Sequence, residues 1–182
     1  MGDNLMSTLL VSTVKDPAGG STITVPTSGT FTIGRKPTLG TEVATTSGTA
    51  FNFGSIAAGA SVIHIMFEGV SMSGTDNLLV QLGDAGGIET SGYVSASDGQ
   101  SSTTGLVWRG GSAAGLIDGI MTICLKDAAN FTWVAAHTGN KVTTTIVFGC
   151  GTKSLSAELT QVTVTRSGSD TFDAGSVNIS YF

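Results

Sequence analysis

The sequence predicts an all-β protein, a jelly-roll-like antiparallel β-sandwich preceded by an extended N-terminal arm. Three observations carry this. Apolar residues almost nowhere recur at helical spacing. Gly or Ser-Gly interrupts nearly every run of about ten residues, the turn spacing of a sandwich or barrel. Where a run is long enough to read, apolar and polar side chains alternate with a period of two, which places one face of a strand inside. A chain of 182 residues suits one core of ordinary size with at most a short appended segment. Apolar residues make up 40% of it and charged residues 12%, a charged share about half the usual one. Ser, Thr and Gly fill the polar positions, and low charge with many β-branched residues is the opposite of a disordered composition.

The first 37 residues hold all three prolines, Pro17, Pro26 and Pro37, between β-prone pieces at 9–14 and 22–25. Proline cannot donate to a central ladder, so these pieces read as edge strands or as an arm. A boundary near Pro37 to Gly40 divides the chain into an arm, residues 1–37, and a sandwich domain, residues 38–182. Residues 38–48, rich in Thr, Gly and Ser, read as a linker or first loop. Strands are expected at 50–53, 61–67, 77–82, 93–95, 106–108, 117–126, 132–137, 142–148, 154–166 and 176–182. The runs at 61–67 and 120–125 are nearly continuous in apolar residues, as where both faces are covered by protein, the second by another subunit. Between 154 and 166 the inward set begins as Leu155, Ala157 and Leu159 and resumes as Val162 and Val164, so a bulge at Thr160 and Gln161 is expected to restore the phase. In the last strand Val177, Ile179 and Tyr181 share the buried face, with Asn178 and Ser180 opposite.

Composition also excludes function classes. A formal net charge of −5 and a pI of 4.7 leave no basic footprint for nucleic acid. The opening Met1-Gly2-Asp3-Asn4-Leu5 has no basic n-region, so no Sec-type signal is expected, and no apolar run approaches the length of a membrane-spanning helix. Two cysteines, Cys124 and Cys150, are too few for a disulfide scaffold. Cys124 reads as a small buried hydrophobe, and both thiols are expected to stay reduced. Only His64 and His137 supply imidazole, and zinc, phosphate-loop and nucleophile-elbow motifs are absent. Neither a metal nor a cofactor is expected, and the chain reads as no enzyme. The carboxylates Glu68, Asp84, Asp98, Asp118, Asp127 and Asp173 leave a small polysaccharide depolymerase as an alternative, because two converging carboxylates suffice for glycoside hydrolysis. Acidic residues in Gly-rich loops more commonly form turns.

The most unusual grouping combines Trp108 and Arg109 with Trp133, His137, Asn140 and Lys141. Aromatic faces stack on sugars or anchor a partner, and neighbouring Arg, His or Asn direct hydrogen bonds. These six residues are therefore the candidate ligand site. The plain alternative places both tryptophans in the core.

Four stretches carry a resemblance. The run Gly48-Thr49-Ala50-Phe51-Asn52-Phe53-Gly54-Ser55-Ile56, the run from Ile65 to Ser71, the run from Asn77 to Glu89, and the ending from Asp170 to Tyr181 together resemble the terminal knob domain of phage and prophage tail fibre proteins. The run from Ser7 to Asp16 resembles an opening segment of small phage virion proteins. The resemblance implies a β-rich, trimeric structural protein on the surface of a particle assembled in the bacterial cytoplasm. Its partners would be other virion proteins, capsid or tail, and a host surface glycan. The arm would dock on the virion through apolar side chains such as Leu9, Val11 and Phe31. The short chain makes a head fibre or capsid decoration protein the main alternative.

Overall fold

Alternating side chains and frequent glycine turns resolve into fourteen strands and no helix among the described residues, which are 36–110, 112–142 and 144–182 of a computed structural model. Leu9, Val11 and Phe31, like all of the arm up to residue 35, lie outside the described residues. The strands are β1 (Thr38–Leu39), β2 (Val43–Ala44), β3 (Phe51–Phe53), β4 (Val62–Met72), β5 (Leu78–Asp84), β6 (Gly87–Ile88), β7 (Val94–Ser97), β8 (Gln100–Ser102), β9 (Leu106–Trp108), β10 (Ile117–Asp127), β11 (Thr132–Val142), β12 (Thr145–Ser154), β13 (Gln161–Arg166) and β14 (Phe172–Tyr181).

The larger sheet runs β1-β14-β4-β10-β11-β12-β7-β8, with β2 also on β14; the smaller runs β3-β13-β5-β6, with β9 on β5. Every pairing is antiparallel. The all-β antiparallel sandwich is thus present. Its strand order, with a β10-β11-β12 meander inside the larger sheet, does not by itself carry the finer jelly-roll assignment. One continuous core lies between the sheets: Ile63, Ile65, Met121, Ile123, Val177 and Ile179 from the larger meet Leu78, Val80, Leu82, Val162 and Val164 from the smaller.

The expected strand at 154–166 is two strands in different sheets. The chain leaves the larger sheet at Ser154 and enters the smaller at Gln161. Leu155 and Leu159 are buried within the crossing, and Val162 and Val164 after it, so the slip in phase marks a change of sheet and needs no bulge. Backbone bonds pin the crossing at both ends, from Leu155 N to Phe131 O at 3.1 Å and from Thr160 N to Gly83 O at 3.0 Å. Between them Ser156 donates from Oγ to Asp84 Oδ2 (2.6 Å) and from N to Glu89 Oε1 (2.8 Å). The Ser156 bond, with that from Gly86 N, holds the Asp84 carboxyl below its usual range. Burial pushes Glu89 up, but its pairing with the Lys153 ammonium and the Ser156 bonds outweigh this and leave it lowered. Lys153 also lies 5.3 Å from the centre of the Tyr93 ring. The Tyr93 hydroxyl accepts from Leu82 N and donates to Glu89 O, and burial pushes its phenol up to about 12.

β4 keeps a clean alternation: Ile63, Ile65 and Phe67 are buried, whereas Val62, His64 and Met66 are only half-buried. The second face of the apolar run at 61–67 is therefore not enclosed among the described residues. In β14 Val177 and Ile179 are buried as expected, but Tyr181 is half-buried near the sheet edge. Cys124 is likewise half-buried and Cys150 exposed. A hairpin absent from the expected strands joins β7 to β8. Asp98 and Gly99 take φ of 44° and 82°, the left-handed pair that a two-residue hairpin turn requires and that Asp-Gly supplies.

Candidate interaction surface

Five of the six candidate ligand residues gather at one end of the sandwich, around an indole. Trp108, at the end of β9, is fully buried. Its ring lies on the paired glycines Gly119 of β10 and Gly139 of β11; a Cβ on either would come within 2.8 Å or 2.6 Å of it. Only glycine leaves room for so close an approach. Phe67 meets the indole edge-on at 5.4 Å, and His137 stacks on it at 4.3 Å and 19°. The indole Nε1 donates to Asn140 O at 3.1 Å, so the buried polar atom is satisfied.

His137 faces the core, its Nε2 3.0 Å from Ser97 Oγ, which also accepts from Arg109 N at 3.0 Å. Burial lowers the imidazole to about 4, so the ring is neutral at pH 7. Gly149 opposite is required, because a Cβ there would collide with the ring. Towards solvent, Arg109 Nη1 donates to Asp98 O at 2.5 Å and pairs with Asp98 Oδ2 at 3.3 Å, and the Lys141 ammonium pairs with the same carboxylate. The Lys141 bond, aided by the Arg109 charge, holds Asp98 below the usual carboxylate range.

Asn140 ties β11 to the start of β10 and, through Asp118, to β4. Its Oδ1 accepts from Asp118 N (2.5 Å), its Nδ2 donates to Asp118 Oδ2 (3.1 Å), and Asp118 Oδ1 accepts from Gly69 N (2.6 Å). A groove of about 370 Å³ lined by Asp118, Thr138, Asn140, Thr145 and Ile146 opens here. Both Asp118 oxygens are already bonded within the fold.

Trp133 stands apart, four residues before His137 on the same inward face of β11, and is buried. Neither tryptophan presents an open ring face, so the aromatic half of the expected sugar platform is in the core. Arg109 remains as its part-exposed polar group, whereas the Lys141 side chain is only 13% exposed and the Asn140 amide is engaged with Asp118. The other expected carboxylates have local work: Asp127 accepts from Ala129 N and Asn130, and Asp84 from Gly86 N, as turn formers do. Glu68 and Asp173 are exposed. Among the described residues no group of three or more His, Cys, Asp or Glu side chains is placed to hold a metal ion, and no helix is long and apolar enough to cross a membrane.

The larger sheet has a second, outward face. Cross-strand registers align its side chains in rows. One row runs through Val62, Cys124, Val134, Thr152 and Val94. The next contains His64, Thr122, Ala136, Cys150 and Ala96, with the His64 Nδ1 3.1 Å from Thr122 Oγ1. The third contains Met66, Ile120, Thr138 and Phe148. No Asp, Glu, Lys or Arg stands in these rows. The period-two pattern of β12 was the readable signal for this face, since Ile146, Phe148 and Cys150 alternate with Val147, Gly149 and Gly151. Cys124 and Cys150 lie on strands separated by β11. Two sheet spacings are about 9.6 Å, beyond the ~7 Å limit for bridging Cα atoms, so no disulfide joins them within one copy.

No protein-family model matches this chain, and no curated protein or solved structure matches it either.

Proposed function

We propose that this chain is a structural protein of a bacteriophage particle, a short fibre-like knob displayed on the surface as a homotrimer and docked by residues 1–37. The observation that carries the proposal is the sequence resemblance. The four stretches that resemble fibre ends, far apart in the chain, gather in one half of the sandwich. β4 pairs with β14, while β3 and β5 flank β13. At their junction Phe172 N donates to Gly48 O (2.9 Å) and the Phe51 and Phe172 rings meet at 5.1 Å. Asp76 and Asp170 cap each other's backbone N–H, both at 2.8 Å.

A host glycan is a candidate ligand for the Arg109, Asn140 and Lys141 surface, and decoration of a capsid is the alternative role. Deleting residues 1–37 separates arm from knob. The truncated protein is expected to keep its circular dichroism spectrum and melting transition and to be lost from particles. Normal incorporation of the truncated protein would reject the docking role. Cryo-electron microscopy of intact particles then assigns head or tail, and release of reducing sugar from host polysaccharide would replace this reading with that of a depolymerase.

A further inference from the structure

On the outward face of the larger sheet three neighbouring rows combine exposure with an absence of charge, and the charged groups of that face lie beyond them, Asp118 beside Ile146 and Glu68 beside Met66. Phe148 is 69% exposed, Ile146 74% and Val94 73%. Five strands at about 4.8 Å spacing and three rows about 7 Å apart give a patch on the order of 500 Å² in projection. That is at the upper end of what a soluble monomer leaves open. A patch of that size on each of two copies is on the order of 1,000 Å² in total, the least that a specific interface clears.

The relief of the face fits itself. Ile146 and Phe148 form a ridge along one part of β12. Beside it, Val94 and Val134 wall a hollow of about 490 Å³ floored by Ala96 and Cys150. The hollow admits a benzyl side chain, and the ridge that supplies one lies on the same strand as the hollow's floor. The charge pattern favours a second copy over another partner. The chain carries a net charge of −5, yet none of its charged side chains lies in the three rows, so copies meet here without repulsion and no charged partner is selected.

We infer that this face is the contact between copies of the chain, with Phe148 of one copy entering the hollow over Cys150 of the next. Because ridge and hollow are distinct patches, one copy can give its ridge to one neighbour and its hollow to another, the head-to-tail arrangement that a ring of three requires. The copy number of three rests on the fibre-knob reading above; the choice of surface does not.

The test uses the full chain and a Phe148→Ser, Ile146→Ser double variant. Both side chains point away from the core, so the protomer should keep its circular dichroism spectrum; Val94→Ser, on a neighbouring strand, is the second variant. Light scattering at micromolar concentration is expected to give three times the 18.3 kDa chain mass for the parent and a single chain mass for the variants. The parent should also resist about 1 M salt, because screening acts on charges that this contact lacks. In a Cys124→Ser background, alkylation of Cys150 by iodoacetamide should be at least about tenfold faster in the variants, since a thiol closed into an interface reacts only after opening. A monomeric parent would overturn both the contact and the trimer. A trimer that survives the substitutions with Cys150 still protected would overturn this surface and leave the fibre reading standing. A dimer dissolved by the substitutions would uphold the surface and reject the copy number.

Discussion

Replacing Trp108 by alanine is expected to destabilise the protein by about 3–5 kcal/mol, the range for deleting a fully enclosed large aromatic. The indole is in contact with β4 through Phe67, with β10 and β11 through Gly119 and Gly139, and with the His137 ring. None of these neighbours can close the void cheaply, because two are backbone and the others belong to a ladder whose register is fixed. The Asn140 carbonyl also loses its donor. Trp108→Phe should retain most of the packing and cost less, roughly 1–3 kcal/mol for the unmade hydrogen bond and smaller ring. Urea unfolding of the three proteins measures both values. A loss below about 1 kcal/mol for the alanine variant would mean that the indole is not the keystone of this end of the core.

Acidification is expected to weaken the fold before ordinary carboxylates titrate. Burial lowers His137 from its usual 6.5 to about 4, so between these values the unfolded chain binds a proton that the folded protein does not. Stability therefore rises with pH across this window and is lost as pH falls through it. The full difference corresponds to about 3 kcal/mol at one pKa unit per ~1.4 kcal/mol. Below it, Asp84, Glu89, Asp98 and Asp127, all held below their usual values, add loss in the same direction, because protonation breaks bonds that the charged forms accept. Melting temperatures from pH 7 to pH 4 should fall in the parent. In His137→Gln, which cannot titrate, the slope between about pH 6.5 and pH 4 should flatten even if the variant is less stable throughout. An unchanged slope would place the acid sensitivity elsewhere.

Within the domain, the sequence by itself determined the all-β class and the strands with strong alternation. β9 and the start of β10 fall where the pattern puts them, and Ile63, Ile65, Val177 and Ile179 are inward as their period requires. These are local properties: alternation sets the face of a strand wherever its partner comes from. Asp98-Gly99 was a readable hairpin signal for β8 as well. The tertiary structure alone decided which strands are neighbours, that the phase slip after Leu159 is a passage between sheets, and that Trp108 and His137 form a stacked pair in the core. It also decided that Asp98, Arg109 and Lys141 meet at the surface, and that the uncharged rows of β12 and β7 face outward. Each of these depends on contacts between residues far apart in the chain, and a period of two says which residues share a face but not what lies against it.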